Sequence, residues 1–310
     1  MSGPTALPDV GVTLATRDRF ALLARALDAI WAQTYAGRLD VVVVIDGEVP
    51  DVLDLPDPVA PERQSLTVQV NQRTPGLCGA RNTALDLVSA DLLATCDDDD
   101  TWAPDRVRRQ VAELEAHAEA VAVAGSIAIV HDGVRTVREA PLREVLLADL
   151  LADRIMELHP SAMLYRREAL EKVEGWDETL PGGYAEDYDL LLRLARIGTL
   201  RLVPEVVADI EWNGGSYFFS RWRTIADALD ELLRRTPEFA GVPRGRARIE
   251  GQIAFAHAAL GERAEARRWM RRAWRDRRTE PRVLLTAAVL LRLTSAERLQ
   301  AALHRRGRGI

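Results

Sequence analysis

The sequence predicts an α/β fold, in which a mixed, mostly parallel β-sheet is flanked by helices and followed by an all-helical C-terminal region. Short apolar runs alternate with amphipathic stretches over the first two thirds of the 310 residues. The run Val41 to Ile45 is uninterrupted and β-branched, and it ends at Asp46-Gly47, which is typical of a central strand that leads into a turn. After Ser216 the sequence has no strand signal.

Strands and helices alternate through residues 9 to about 104. The predicted strands are Val10 to Leu14, Val41 to Ile45, Leu66 to Val70 and Leu92 to Cys96. The predicted helices are Phe20 to Trp31 with Asp18 as N-cap, Gly79 to Val88, and a helix with Pro104 in its first turn that ends near His117. This alternation indicates a parallel sheet.

The next segment, residues 105 to about 220, contains more strand. Strands Val121 to Val130 and Val134 to Arg138 are predicted to form a hairpin, with His131-Asp132-Gly133 as its turn. Helices are predicted at Pro141 to Ala152, Arg167 to Val173 and Glu186 to Ile197. We place a domain boundary near residue 220.

The C-terminal region, residues 221–310, is predicted to be helical. Its helices are Arg221 to Arg235, Arg246 to Leu260, Glu262 to Arg275 and Pro281 to Arg292. A weak tetratricopeptide-like pattern of small and bulky positions falls at Ala254, His257, Gly261, Ala266, Met270 and Ala273. Because one repeat cannot bury its own apolar face, we interpret the region as a helical cap on the α/β domain and not as a peptide-binding array.

Composition excludes several classes of protein. With 47% hydrophobic and 28% charged residues, the chain is neither collagen-like, low-complexity nor disordered, and its net charge of −6 argues against general nucleic-acid binding. Its two cysteines, Cys78 and Cys96, form no disulfide framework or zinc knuckle. Residues 1–8 lack signal-peptide features, and the apolar stretch Val283 to Leu291 is too short to span a membrane. We therefore expect a cytoplasmic location, with peripheral attachment to the inner membrane face as an alternative.

Four consecutive aspartates, Asp97, Asp98, Asp99 and Asp100, directly follow a predicted buried strand. Adjacent carboxylates repel one another, so this arrangement needs a cation or solvent to compensate it. Ligands of α/β sheets bind at the carboxyl ends of the strands, and hard divalent ions such as Mg²⁺ or Mn²⁺ prefer oxygen ligands. The run therefore predicts a metal site, with a solvated acidic loop or a helix cap as the alternative.

Two further acidic positions support a catalytic interpretation. Asp46 ends a second strand, which reaches the same edge of the sheet if the strands are parallel. Glu186-Asp187 begins a predicted helix, where acidic residues are favoured by capping and by the helix dipole. A carboxylate at that position is also what a general base requires.

These motifs, in this order, resemble family-2 glycosyltransferases of the GT-A fold over residues 9 to about 220. The matching segments are Val10 to Arg19, the helix with Leu27, Ile30 and Gln33-Thr34, the strand Val42 to Gly47, the Gly79-Ala80-Arg81-Asn82 helix, the Asp-x-Asp run through Trp102-Ala103-Pro104, Tyr165-Arg166, Gly175-Trp176-Asp177, and Glu186-Asp187 with Arg193 and Gly198. The resemblance implies a nucleotide-sugar half over about 9–104 and an acceptor half over about 105–220.

The resemblance further implies an inverting, metal-dependent enzyme that moves a sugar from a nucleotide-diphosphate sugar to an acceptor hydroxyl or other nucleophile. It assigns the nucleotide sugar to Thr16, Asp46, Arg81, Asp97 and Asp98, the direct metal contact to Asp99, and the role of general base to Asp187. Arg81 has an equally supported alternative role as a structural ion pair with one of the aspartates. Inversion requires one base only, so no second carboxylate acts as nucleophile.

On the acceptor side the candidates are Glu186, Tyr184 and His159. Tyr184 lies in a Gly-rich loop and suits stacking on a sugar, whereas a lone histidine such as His159 is more often structural. The implied partners are a UDP-sugar, with dTDP- and GDP-sugars as alternatives, Mn²⁺ or Mg²⁺, and a small-molecule, glycan or peptide acceptor. A homodimer is compatible with the sequence.

The chain departs from the family pattern at three places. Ile45-Asp46 replaces the usual pair of aspartates, Ala15 stands where a proline is common, and Arg17-Asp18 replaces the usual Tyr-Asn. The Gln-x-x-Arg-Trp motif of processive members is absent, so we expect transfer of a single sugar. Two other functions compete. A nucleotidyltransferase is disfavoured because the first strand ends in Ala15 to Asp18 and not in a Gly-rich phosphate loop. An incomplete acidic constellation would support a non-catalytic nucleotide-sugar-binding scaffold, but the carboxylates that catalysis needs are all present.

Overall fold

The computed structural model describes residues 7–212 and 221–304. The chain divides into two compact units. One, the α/β unit, comprises Met1–Leu147, Ile155–Glu178 and Leu190–Trp212. The other, the helical unit, comprises Ala148–Arg154, Thr179–Asp189 and Asn213–Ile310, so two segments that precede residue 220 belong with the C-terminal helices.

The α/β unit is built on a ten-stranded sheet with the order β3-β2-β1-β4-β9-β6-β10-β5, in which β7 also pairs with β6 and β8 with β10. The strands are β1 (Val10–Thr16), β2 (Leu39–Ile45), β3 (Gln64–Val70), β4 (Leu92–Asp97), β5 (Thr101–Trp102), β6 (Ala120–His131), β7 (Val134–Arg138), β8 (Glu144–Val145), β9 (Leu164–Arg166) and β10 (Thr199–Glu211). The long pairings are parallel, and the short strands β5, β7, β8 and β9 pair antiparallel. The predicted mixed, mostly parallel sheet is confirmed.

The helices were largely predicted from apolar spacing. They are α1 (Phe20–Trp31), α2 (Leu77–Leu87), α3 (Arg106–Ala116), α4 (Leu147–Ala152), α5 (Arg167–Lys172), α6 (Glu186–Leu194), α7 (Trp222–Arg235), α8 (Pro243–Ala259), α9 (Arg263–Asp276), α10 (Pro281–Leu290) and α11 (Ala296–His304). Within the described residues, none of these helices has the length and apolarity needed to cross a membrane.

The register of the parallel strands positions the candidate site. Thr16, at the end of β1, lies opposite Ile45 on β2, and the preceding Ala15 lies opposite Asp97 on β4. The three strands are buried along nearly their whole length, which is why each consists mostly of apolar residues. Asp46 and the aspartates that follow β4 therefore emerge at the same edge of the sheet.

Several local predictions were wrong. Asp18 does not cap α1: it adopts a left-handed conformation (φ 57°), and Arg19 occupies the N-cap position without a capping side-chain bond. The helix predicted from Pro141 begins only at Leu147, because Glu144–Val145 pairs with β10 instead. The helix near Pro104 begins two residues after it, at Arg106, and α11 was not predicted.

The predicted hairpin is confirmed. Strands β6 and β7 pair antiparallel, and His131 lies opposite Val134. The two residues between them have positive φ angles, 49° at Asp132 and 76° at Gly133. Two-residue hairpin turns need this conformation to match the strand twist, and Asp-Gly supplies it at little cost.

In the helical unit, α8 packs against α7, α9 and α10. Of the residues in the repeat-like pattern, Ala254 on α8 and Ala266 and Ala273 on α9 are fully buried. Small side chains at these positions allow the two helices to approach closely. The bulky residue buried beside them is Trp269, and Met270 is half-buried.

Candidate active site

The acidic run forms a tight turn directly after β4. The Asp100 N–H donates to the Asp97 carbonyl at 3.2 Å, which closes the turn. Ser161, in a short 3₁₀ helix that packs on β4, accepts from the Asp97 N–H at 3.0 Å and donates to the Asp100 carboxylate. The Glu211 N–H donates to the other Asp100 oxygen at 2.9 Å. Neutral donors therefore hold a nearly buried carboxylate in a fixed orientation.

Asp97, Asp100 and His159 each contribute one possible ligand atom, and these atoms all lie within 4.8 Å of one another. His159 Nδ1 lies 3.7 Å from Asp100 Oδ2 and accepts the Ser161 N–H at 3.2 Å. Two carboxylates and an imidazole form a donor set that fits a divalent cation such as Mn²⁺. His159, predicted on the acceptor side, thus lies beside the acidic turn, and Asp100 is a candidate ligand that the sequence did not single out from its neighbours.

The charges of the turn are unevenly compensated. Burial opposes ionisation of Asp97, but Arg81 and His159 outweigh it and lower the pKa of this carboxyl. Burial raises the pKa of Asp98 to about 6, against the effects of Thr16 and Arg19. Burial and the nearby Asp97 charge also raise the pKa values of Asp99 and Asp100, that of Asp100 well above its usual range. The turn therefore carries more carboxylate than its arginines neutralise, which favours a bound cation.

Arg19 is an unpredicted member of the site. Its guanidinium forms ion pairs with Asp98 and with Asp99, the latter at 2.6 Å. Asp99, the metal ligand implied by the family resemblance, is thus held by an arginine in this structure. No local sequence pattern signals this contact, because Arg19 and the aspartates are about 80 residues apart.

Two other predicted residues lie at the same strand ends. The Thr16 hydroxyl donates to Asp98 at 2.6 Å. Asp46 is 9% exposed, and its carboxylate accepts from Arg17 at 2.6 Å and from the Asn71 side-chain amide at 2.8 Å. Register alone brings Thr16 to the acidic turn, whereas Asp46 also depends on partners from two loops.

Arg81 projects from α2 into the same region. It forms an ion pair with Asp97 at 2.7 Å, its side chain is only 3% exposed, and its guanidinium lies 5.8 Å from the ring centre of Trp176. The neighbouring Asn82 donates to the Trp176 carbonyl at 2.7 Å and accepts the Trp176 N–H at 2.9 Å. The structure therefore contains the ion pair that the sequence offered as one of two roles for Arg81.

The predicted base lies in the helical unit. Asp187 is in the first turn of α6, where one oxygen pairs with Arg154 and the other accepts the Tyr188 N–H at 2.8 Å. The opposite charge of Asp187 outweighs burial and raises the pKa of Arg154. Arg154 follows α4 in a loop with no motif, so sequence reasoning missed it.

Tyr184 and Glu186 flank this base. Burial raises the pKa of the Tyr184 phenol, although Arg154 opposes the shift. Glu186 is 7% exposed and Tyr184 half-buried. The candidate residues therefore form two groups, one at the acidic turn of the α/β unit and one around Asp187 in the helical unit.

Comparisons with known proteins identify the family and the fold. A sequence model described as glycosyl transferase family 2 matches residues 12–174, just over half of the chain. The chain is 28% identical over 174 residues to an uncharacterized glycosyltransferase, alr2836, from Nostoc sp., covering 53% of this chain and 52% of that protein. It is 32% identical over 171 residues to the succinoglycan biosynthesis protein ExoW of Rhizobium meliloti, covering 49% and 53%. The chain thus spans about half the length of these curated relatives.

Solved structures share the fold at low sequence identity. Residues 1–349 of S. aureus TarS, crystallised in complex with UDP-GlcNAc, align with a TM-score of 0.57 and 16% identity, covering 97% of this chain and 92% of that one. The mannosyltransferase PcManGT from Pyrobaculum calidifontis, in complex with GDP-Man and Mn²⁺, aligns with a TM-score of 0.58 and 21% identity, covering 97% and 85%.

Proposed function

Because this chain belongs to glycosyl transferase family 2, we propose that it transfers a single sugar, with inversion, from a nucleotide-diphosphate sugar to an acceptor hydroxyl or other nucleophile. The observation that most supports this proposal is the group formed by Asp97, Asp100 and His159 at the carboxyl end of β4. Open α/β sheets bind their ligands at this edge.

The nucleotide end of the donor is assigned to the neighbouring strand ends. Asp46 offers a carboxylate to the ribose or base. Asp98, whose side chain is fully buried against Thr16 and Arg19, would have to become exposed to take the same role. A UDP-sugar is the favoured donor, with dTDP- and GDP-sugars as alternatives. TarS and PcManGT, which share the fold, were solved with UDP-GlcNAc and with GDP-Man and Mn²⁺, respectively.

Asp97, Asp100 and His159 would hold a divalent cation, Mn²⁺ or Mg²⁺. Such a cation, when bound, acts as a Lewis acid and stabilises the negative charge that develops on the leaving diphosphate. The family resemblance also assigns Asp99 to the cation, and Asp99 would have to leave its ion pair with Arg19 to take that role.

Asp187 is proposed as the general base. Its ion pair with Arg154 fixes the orientation of the carboxylate, and lone pairs remain on both oxygens. The acceptor proton passes to Asp187 as the acceptor oxygen bonds to the anomeric carbon. The bond from that carbon to the diphosphate oxygen breaks on the opposite side, which inverts the configuration.

The acceptor class is open among glycans, small molecules and peptides. A glycan has the most support, because ExoW is named for succinoglycan biosynthesis. Tyr184 and Glu186, beside Asp187, are the proposed acceptor contacts. The cytoplasmic location of the protein and its assembly into a homodimer are still predictions from the sequence.

A donor screen tests this proposal. Purified protein would be mixed with UDP-, dTDP- and GDP-sugars, with Mn²⁺, Mg²⁺ or chelator, and the thermal unfolding midpoint and release of nucleoside diphosphate measured. We expect one nucleotide class to raise the midpoint only with metal, since a ligand of the native state stabilises it. Asp100→Asn should remove the metal-dependent shift of the midpoint. Asp99→Asn should remove this shift only if Asp99 leaves its ion pair with Arg19 and binds the cation. The proposal would be contradicted if every donor bound without metal, or if no donor bound under any of these conditions.

A further inference from the structure

The helical unit contains a cavity of about 230 Å³ on the side of α8 that carries Arg248. It is lined by the end of α4, by α8, by the segment that joins α9 to α10, and by the first turn of α10. The lining residues include four arginines and two carboxylates, namely Arg244, Arg248, Arg277, Arg282, Asp153 and Glu280. The cavity therefore has a clear excess of positive charge, and none of the roles proposed above uses it.

Two of the arginines present donors without acceptors. The Nε atoms of Arg248 and Arg282 are buried, and neither has a hydrogen-bond partner among the described residues. The Arg248 side chain is only 11% exposed, and its Nε lies 3.6 Å from Asp153, beyond hydrogen-bond distance. A buried donor without an acceptor is costly, so this arrangement favours a ligand that supplies acceptor oxygens.

The carboxylates of the cavity are already engaged. Glu280 accepts from Arg282 Nη1 at 2.7 Å, and Asp153 accepts from Arg244 at 3.2 Å. Burial lowers the pKa of Arg248, and repulsion from Arg282 and Arg154 adds to this effect against the attraction of Tyr188 and Asp153. The local field at Arg248 thus lacks negative charge.

A second arginine-rich cluster in the same unit differs from the cavity in the partners of its Nε atoms. There Arg246 forms a two-pronged pair with Asp276, and Arg272 donates to Glu250 at 2.9 Å. Each of these guanidiniums directs its Nε to a carboxylate. At Arg248 and Arg282 the Nε groups find no such partner among the residues that the structure describes, which distinguishes the cavity from a surface ion-pair network.

The cavity also adjoins the proposed base within the helical unit. Arg248 donates to the Tyr188 hydroxyl at 3.0 Å, and Tyr188 follows Asp187 on α6. Arg154, the partner of Asp187, is close enough to Arg248 for their charges to repel. A group bound by Arg248 would therefore be held near the carboxylate that is proposed to take the acceptor proton.

We propose that this cavity binds a phosphate group carried by the acceptor, with Arg248 and Arg282 as its principal ligands. The identification of the ligand as an acceptor rests on the proposed function, whereas the presence of an anion site does not. Guanidinium groups match phosphate oxygens in charge and geometry, and a dianion balances the excess of arginine over carboxylate. The phosphate anchors the acceptor, and the nucleophilic group elsewhere on that molecule reaches Asp187.

The test measures binding of inorganic phosphate and glycerol 3-phosphate by calorimetry, at constant ionic strength and with chelator, so that no metal-dependent donor site can hold the phosphate. The variants are Arg248→Gln and Arg282→Gln, on different helices, so that misfolding of one leaves the other informative. Each should weaken binding at least about tenfold, the usual effect of losing a charged hydrogen bond. The matched control Arg271→Gln, an exposed position on α9, should not change it.

Asp153→Asn provides a test of opposite sign. It removes a carboxylate that competes for Arg244, so phosphate binding should tighten a few-fold, whereas a purely structural role predicts no gain. Binding that is equal in wild type, Arg248→Gln and Arg282→Gln, or undetectable at about 10 mM ligand, would overturn the proposal. If inorganic phosphate binds and glycerol 3-phosphate does not, the cavity binds a free phosphate ion. That result would overturn the proposal that the phosphate is carried by the acceptor.

Calorimetry does not depend on turnover, so the two proposals can fail separately. If nucleotide sugars bind in the presence of metal but phosphate does not bind to the protein, only the inference about the cavity is contradicted. If phosphate binds through Arg248 and Arg282 but no nucleotide sugar binds, the proposed transferase function falls and the anion site stands.

Discussion

At the scale of single residues, the most consequential contact is the ion pair between Asp187 and Arg154. A carboxylate in the first turn of a helix is favoured by the helix dipole whatever its function. The guanidinium of Arg154 adds a directional partner that fixes one carboxylate oxygen. A general base must be oriented before the acceptor arrives, and this pair supplies that condition.

Replacing Asp187 by Asn should lower turnover by about 10²- to 10⁴-fold, because an amide cannot take the acceptor proton. Donor affinity should stay unchanged, since Asp187 is not assigned to the nucleotide sugar. Steady-state kinetics and donor titration measure the two effects. Asp227→Asn, at an exposed position on α7, serves as the matched control. Normal turnover in Asp187→Asn would eliminate this residue as the base.

The acidic turn makes cation binding depend on pH. Burial and the nearby Asp97 charge raise the pKa of Asp100, a proposed ligand of the cation, well above its usual range, so a proton occupies this carboxyl as the pH falls. A cation must displace that proton, and its affinity therefore rises with pH. We expect Mn²⁺ binding, measured by calorimetry, to weaken as the pH is lowered. An affinity that does not change with pH would contradict the assignment.

At the scale of elements, α2 is positioned by a close approach of backbone to backbone. A Cβ atom on Gly79 would overlap the Thr74 carbonyl oxygen, so only glycine fits there. The same helix carries Arg81, which pairs with Asp97, and Asn82, which bonds to Trp176. The position of the helix thus sets the position of two polar contacts at the site.

Gly79→Ala should reduce the free energy of unfolding by about 1–3 kcal/mol, because the added methyl group forces α2 away from the loop at Thr74. Chemical denaturation measures the change. Gly241→Ala is the matched control, since a Cβ atom added there would have no neighbour within 4 Å, and the effect should stay within about 0.5 kcal/mol. Equal stability of the two variants would show that the loop at Thr74 moves without cost, and it would contradict this prediction.

At the scale of the whole molecule, the helical unit is assembled from segments that are distant in sequence. The Gly245 position on α8 lies so close to the Leu151 carbonyl of α4 that a Cβ atom would overlap it. Tyr188 donates its hydroxyl to the Leu150 carbonyl, and Arg248 on α8 donates to Tyr188. The residues around Asp187 therefore depend on helices that follow residue 221.

Removing residues 222–310 should expose the apolar faces of α4 and of the Thr179–Asp189 segment, and the truncated protein should lose solubility. Size-exclusion chromatography and binding of a hydrophobic dye test this expectation. The full chain, purified in parallel, is the control. A monodisperse truncation with an unchanged thermal midpoint would show that the C-terminal helices form an independent module.

Much of the fold could be predicted because its signals are local. A β-branched run such as Val41 to Ile45 is buried on both faces wherever it lies in the sheet, and Asp132-Gly133 adopts its turn through its own backbone preferences. The errors arose where a distant strand competed with a local preference. Glu144–Val145 reads as helix, but β10 offers it backbone partners.

The same distinction holds for the candidate site. Local patterns were enough to predict which carboxylates follow strands and that the strands are mostly parallel, and these two facts bring Thr16 and the acidic run to one edge. The partners of the carboxylates could be identified only from the folded chain: Arg19 for Asp98 and Asp99, His159 for Asp100, and Arg154 for Asp187. Strand periodicity depends on residues that are neighbours in the sequence, whereas these ion pairs depend on the distance between side chains that lie far apart along the chain.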